Sequence, residues 1–155
     1  MEENSGVLDR NVIAQVALVV HDIEKTSRAY ADFFGIETPT WKLTDAWDQT
    51  QAVYRGKPTE ARAKLAFMNF GSVVIELIEP DHHPSIWREF LDERGEGFHH
   101  IAFKIAGMEN ITGLMEQKFH MPLVQKGEYT GGRYAYIDSL KDLKVLIELL
   151  ENDNN

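Results

Sequence analysis

Four polar residues sit at matched positions of a repeated sequence. Gln15 opens the run Gln15-Val16-Ala17-Leu18-Val19-Val20. His100 opens His100-Ile101-Ala102-Phe103-Lys104-Ile105, 85 positions later. Glu76 lies inside Val73 to Glu79, and Glu148 holds the same place in Val145 to Glu151, at an offset of 72. One imidazole, one amide and two carboxylates form a nitrogen and oxygen donor set. Such a set suits a six-coordinate divalent cation (cobalt, nickel, manganese or zinc) with open positions for water.

The strand contexts sharpen this expectation. Successive side chains of a strand alternate faces, so Glu76 and Glu148 each share a face with apolar residues two positions away. A buried carboxylate without a partner is costly. Two in equivalent places call for a shared compensating charge. A single strand glutamate more often sits at an edge, and Gln15 alone could be a satisfied core amide; the joint register of all four points to a site. His99 rivals His100, but the offset selects His100, and strict alternation turns His99 to the opposite face. His82 and His83, beside prolines, read as solvated. His21 and His120 lie at element ends with no acidic companion in register. Glu79 and Glu151 fall opposite the ligand pair near strand ends, where exposure is expected.

The elements that must position these residues follow from the same repeat. Lys64 to Asn69 resembles Arg133 to Asp138, so the third match has an offset of 69. Each copy begins with an apolar, β-rich run, Val12 to Val20 or Phe98 to Ile105. A helical segment follows: the first starts at the N-cap Asp22 and stops at Gly35, and the second runs from about Met108 to Phe119. Strands near Thr38 to Leu43 and Met121 to Lys126 come next, and then two strands joined by a turn. The reading is one α+β domain over 1–155, built from two βαβββ modules at about 11–80 and 97–151. Residues 81–96 link them and contain a short helical stretch from Ser85 to Arg94. The polar loop Asp45 to Ala61 is long for so small a domain, a length that often signals function.

Composition narrows the partners. The chain has 155 residues, 43% of them hydrophobic, enough for one core without staples. With no cysteine, disulfides, thiolate metal sites and thiol nucleophiles are excluded. No apolar run approaches the roughly 20 residues of a membrane helix, and the acidic, polar N-terminus does not read as a secretory signal. Asp and Glu number 25 against 16 Lys and Arg, a net charge of −9 that disfavours nucleic acid and anionic membranes. A cytoplasmic location and a homodimer are expected.

The pattern resembles the vicinal oxygen chelate superfamily, also called the glyoxalase/bleomycin resistance/dioxygenase fold. The matching stretches are Gln15 to Lys25 with Phe33-Phe34-Gly35-Ile36, Val74 to Pro80, Gly97 to Phe103, and Tyr136 to Leu143 with Ile147 to Leu150. Together they span about residues 11–151. The resemblance implies paired βαβββ modules curled into an incomplete barrel around a divalent metal held by Gln15, Glu76, His100 and Glu148. The nearest likeness is to methylmalonyl-CoA epimerase-like and glyoxalase I-like proteins. Those epimerases usually have His where this chain has Gln15, and often Gln where it has Glu76.

That resemblance implies removal of a proton beside a thioester or thiohemiacetal carbonyl, with Glu148 as principal base and Glu76 serving the other face. Epimerisation or isomerisation of a small acyl thioester is the leading reading, and a lactoylglutathione lyase of the glyoxalase I type is the alternative. Trp41, Trp47, Tyr54, Phe67, Phe103 and Tyr136 are candidates to line an acyl pocket, although core packing is the commoner role of aromatics. Arg133 is a candidate partner for a substrate carboxylate. Lys42, Arg55, Lys57, Arg62 and Lys64 are candidates for coenzyme A phosphates. Two other classes remain: a ring-cleaving iron dioxygenase, disfavoured by Gln15 and a fourth ligand at Glu76, and a non-catalytic small-molecule binder, disfavoured by four filled ligand positions.

Overall fold

The computed structural model describes residues 6–8 and 10–153. Strand β1 (Gln15–Val19) runs into helix α1 (Ile23–Phe34) through Asp22, whose extended backbone ends the strand and whose carboxylate accepts from the amide of Lys25. That satisfies one of the orphan amides of the first turn. Gly35 ends the helix at φ 64°, a left-handed conformation that glycine adopts without strain. The strand expected over 38–43 is reduced to β2 (Lys42–Leu43), since Pro39 cannot donate to a ladder. Then follow α2 (Trp47–Thr50), β3 (Val53–Tyr54), β4 (Lys57–Pro58), β5 (Ala63–Asn69) and β6 (Val74–Pro80). Helix α3 (Ile86–Arg94), capped by the Ser85 hydroxyl, occupies the link. The second half holds β7 (Gly97–Lys104), α4 (Met108–Phe119), β8 (Leu123–Tyr129), β9 (Gly132–Ile137), α5 (Leu140–Leu143) and β10 (Leu146–Asn152).

Among the described residues the strands form one ten-stranded sheet, ordered β2-β5-β6-β1-β7-β10-β9-β8-β3-β4. β1 pairs parallel with β6, β7 pairs parallel with β10, and β1 meets β7 antiparallel at the centre. Each half therefore repeats the other about a pseudo-two-fold axis, giving the expected α+β arrangement of two βαβββ modules. Both outer edges come from one stretch of chain. β2 lies on β5 at one end, and the β3–β4 hairpin lies on β8 at the other. Nine residues, 44–52, join β2 to β3. At most ~3.6 Å of reach per residue requires the sheet to curl until its edges approach. The result is an incomplete barrel with residues 44–62 strapped across its gap. Arg55 fixes the strap by bonding both carboxylate oxygens of Glu89 on α3 at 2.9 Å, and the Thr59 hydroxyl donates to Pro84 O at 2.6 Å.

Three apolar clusters hold the layers. Inside the curl, Ala17, Val19, Ala63, Ile78, Tyr136 and Leu146 pack on Ile86, Trp87 and Leu91 of α3. On the convex side, α1 and α4 cover two clusters related by the repeat. Val20, Ile23, Ala66, Met68 and Leu77 form one; Ile105, Met108, Ala135, Ile137 and Leu149 hold the same positions in the other.

Glu79 and Glu151 are not the free surface groups that their position near strand ends suggests. Glu79 accepts from the amide of Ile23 at the start of α1 and pairs with Lys64 at 3.1 Å. Glu151 accepts from the amides of Gly107 and Met108 at the start of α4 and pairs with Arg133 at 2.9 Å. Unsatisfied amides and the dipole of a helix N-terminus draw a carboxylate. The two differ in redundancy: α1 keeps Asp22 as its own cap, whereas α4 starts at Gly107 with no side-chain cap. Losing a cap typically costs ~1 kcal/mol, or about 2–4 °C in Tm for a domain of this size. Glu151→Ala should lower Tm by about that much and Glu79→Ala by less. Thermal melts showing equal losses, or the reverse order, would contradict this account of the caps.

Candidate metal centre

The four central strands bring the matched polar residues together. Ala17 is opposed by Glu76 on β6 and by His100 on β7; Ala102 is opposed by Gln15 on β1 and by Glu148 on β10. Directly opposed residues share a face, so the four side chains stand in two neighbouring rows on the concave face. Ala17 and Ala102 are mates in the repeat, and both are fully buried. Their methyl groups make a low floor over which four longer side chains can lean.

Above this floor lies a cavity of about 420 Å³. Gln15, Glu76 and Glu148 line it, with Leu65 and Phe67 from β5 and Tyr134 and Tyr136 from β9. Thr44, Asp45, Thr50, Ala52 and Ala61 contribute the strap side, and Lys104 stands on the wall as its only Lys or Arg among the described residues. His100 is fully buried beside Glu148, its Nε2 2.8 Å from Glu148 Oε2. Despite that distance the angles match no hydrogen bond, and both atoms are buried without a hydrogen-bond partner. Among the described residues no three His, Asp or Glu side chains are gathered tightly enough to enclose an ion; His100 and Glu148 form the tight pair, with Glu76 and Gln15 on the same cavity wall. The pair fits a divalent cation. Two ligand atoms each ~2.1 Å from one ion at a right angle lie roughly 3 Å apart, and two lone pairs held that close are relieved either by a cation or by a proton on the Glu148 carboxyl.

Electrostatics follow from burial. Burial lowers the His100 pKa to about 3, so the ring is neutral. It raises the Glu148 carboxyl to about 8, with the Tyr136 hydroxyl pulling the other way. Glu76 is raised well above the usual carboxylate range, first by burial and then by the charge of Glu148.

His99 corrects the expectation from strict alternation. The pairing of β1 with β7 shifts by one residue: Ala17 opposes His100, while Leu18 opposes Phe98. His99 is the extra residue of a β-bulge, and a bulge re-aims the side chain it carries. Its ring is fully buried, with Nδ1 2.8 Å from His100 Nδ1 and Nε2 3.3 Å from Ile86 O.

The remaining candidates divide. Phe67 and Tyr136 line the cavity. Phe103 packs in the convex core. Trp41 lies against the α1 core, donates to Glu24 and carries the Lys64 ammonium 4.5 Å over its ring. Trp47 donates within the strap to Ala52 O. Tyr54 packs at the inner core and accepts from Arg55. Arg133 is committed to Glu151, Asp153 and Glu128. Among the basic loop residues, Arg55 is held by Glu89 and Lys64 by Glu79, and the Arg62 side chain donates to Thr44 O. Leu65 and Tyr134 were findable, each lying two positions from a pocket residue on the same strand. The strap residues carry no such signal, because they have no period.

A pH test follows. In the metal-free fold Glu148 keeps its proton up to about pH 8, against about 4.5 ordinarily. Where the folded state binds more protons, stability falls as pH rises. Below about pH 6.5 the lowered pKa values of His99 and His100 act in the opposite sense, because unfolding lets them take up protons. The clean window is therefore about pH 6.5 to 8, where the Tm of metal-free protein should fall with rising pH. Added Co²⁺, which favours the ionised carboxylates, should abolish that fall. A flat profile without metal would count against two buried neutral carboxyls.

Comparison with known proteins agrees with this architecture. The chain is 35% identical over 96 residues to the uncharacterized protein YqjC of Bacillus subtilis (strain 168), covering 59% of this chain and 67% of that protein. Among solved structures it resembles methylmalonyl-CoA epimerase from Mycobacterium tuberculosis, with a TM-score of 0.61 at 21% identity over 96% of this chain and 92% of the other. A hypothetical protein from Bacillus halodurans C-125 gives a TM-score of 0.63 at 20% identity, covering 92% and 95% of the two chains. At such identities these structures establish the shared fold. The family model of the glyoxalase/bleomycin resistance protein/dioxygenase superfamily matches residues 14–136, most of the chain, and the chain belongs to that superfamily.

Proposed function

We propose that this protein is a divalent-metal-dependent proton-transfer enzyme, an epimerase or isomerase of a small acyl thioester. The observation that carries the reading is a pair of buried carboxyls, Glu76 and Glu148, both of raised proton affinity and lining one cavity, with the neutral imidazole of His100 buried beside Glu148. Gln15, Glu76, His100 and Glu148 would hold the cation. When bound, it would stabilise negative charge developing on a carbonyl oxygen beside the reacting carbon.

The chain's own residues supply the rest. Glu148, with a proton affinity near neutrality, suits a general base working near pH 7. To accept a proton it must leave the cation free on that oxygen. Glu76, from the other module, can return a proton on the opposite side. The Tyr136 oxygen accepts from Trp87 Nε1 at 3.0 Å, which leaves the phenol hydrogen for the Glu148 carboxyl, whose raised pKa it moderates. Leu65 and Phe67 exclude water from the reacting carbon. With Arg133 committed to carboxylates, Lys104 is the cation placed to receive an anionic group of the substrate. The similarity in fold to a methylmalonyl-CoA epimerase solved in complex with methylmalonyl-CoA, with a TM-score of 0.61, supports a thioester over a glutathione adduct.

Deuterium wash-in at the α-carbon, scanned over acyl-CoA and glutathione adducts with Co²⁺ present, tests the reading. General-base catalysis contributes ~10²–10⁴-fold, so Glu148→Gln should lose about that much exchange. Glu76→Gln should slow one substrate stereoisomer more than the other. If both variants retained metal and exchanged at the wild-type rate, the two-base mechanism would be refuted. Exchange with no thioester and no thiol adduct would leave a binding protein in its place.

A further inference from the structure

We infer that His99 is a positioning residue that fixes the tautomer of His100, so that His100 presents a bare Nε2 to Glu148. The inference deepens the proposed metal centre and rests on it for its consequence, but the hydrogen-bond logic is independent of any metal. Ile86 O can only accept, so the His99 Nε2 facing it at 3.3 Å carries a proton. His99 is fully buried and among the described residues has no carboxylate partner, so its ring is neutral and its Nδ1 is a bare acceptor. The 2.8 Å contact between the two Nδ1 atoms then requires the proton to sit on His100 Nδ1. A neutral imidazole has one N–H, which leaves His100 Nε2 with only a lone pair. That is the atom 2.8 Å from Glu148 Oε2 and without a hydrogen-bond partner.

The local structure holds this relay rigidly. The bulge in β7 brings His99 to lie edge-on to His100, with ring centres 5.1 Å apart. Phe90 of α3 and Tyr136 of β9 pack against the His99 ring at 5.0 and 5.7 Å. Ile86 itself is pinned, because its amide donates to Gln125 Oε1 at 2.8 Å. The start of α3 therefore sets the proton position on a ring two hydrogen bonds away. A free imidazole in water exchanges between tautomers, and in one of them a proton would occupy the atom that must bind the cation. Partners beyond the ligands that fix ring orientation and tautomer typically matter 10–100-fold in metal affinity.

The test uses the full chain labelled with ¹⁵N-histidine. Long-range ¹H–¹⁵N correlation spectra of metal-free protein should show His99 protonated at Nε2 and His100 at Nδ1. His99→Leu should move the His100 proton toward Nε2 and weaken Co²⁺ binding, read by titration calorimetry, about 10–100-fold. His99→Gln can donate to Ile86 O and accept from His100 Nδ1 with one amide, and should recover most of the affinity. His100 protonated at Nε2 in the wild type would overturn the inference, as would His99→Leu binding Co²⁺ like the wild type with the tautomer unchanged. If His99→Leu does not fold, the wild-type spectrum and His99→Gln decide the matter. Wild-type protein with the expected tautomers but no affinity for Co²⁺ would sink the metal reading while supporting the positioning role.

Discussion

The antiparallel contact between β1 and β7 sets the register on which everything else depends. It places Ala17 against His100 and Gln15 against Ala102. The parallel partners β6 and β10 then add Glu76 and Glu148 to the same two rows. A slip of one residue would turn every side chain of a strand to the other face and scatter the four donors between cavity and convex core. The hydrophobic clusters under α1 and α4 resist such a slip, because it would expose Leu77, Ile147 and Leu149 to the cavity and bury the polar set among apolar neighbours.

The cost of this arrangement is electrostatic. Two carboxyls and two imidazoles are buried close together, and among the described residues no Lys or Arg pairs with either carboxylate. Burial answers by neutralising them, which lowers the histidines and raises the glutamates. A site of the kind proposed, holding a cation and moving a proton, would use the same energetic state. Carboxyls reluctant to ionise near neutrality are strong bases once ionised, and a neutral imidazole keeps a lone pair available. Glu151, on the convex side of β10, shows the opposite solution: burial raises its pKa, but the amides of Gly107 and Met108 and the Arg133 guanidinium outweigh burial and lower it.

Much of this was legible in the sequence because the chain is a duplication. The repeat gave the βαβββ units, α4 and the common face of Gln15, Glu76, His100 and Glu148, while residue type alone gave the N-cap at Asp22, whose mate in the second module is Gly107. What it could not give lies where the two copies differ or where period two breaks. The β-bulge at His99 inserts one residue and cancels the alternation that had assigned this side chain to the far face. The strap 44–62 has no counterpart in the second module, so no internal comparison located it. Aromatic identity was a weak guide to the pocket. Trp41 and Phe103 are core residues of the convex side, whereas Leu65 and Tyr134 follow from the faces of Phe67 and Tyr136.

The strap also breaks the symmetry that the repeat creates. At the floor, the halves are near copies, and a flat molecule lying across the axis would meet a carboxylate from each. At the mouth they are unlike, since one module lends its chain to the far edge of the other and walls the opening with Thr44, Asp45 and Thr50. A molecule reaching the floor would therefore meet unlike walls on its two sides at the mouth. Handedness at the mouth is conferred by this doorway; on the floor beneath, it comes from exchanged mates, Gln15 for His100 and Phe67 for Tyr136.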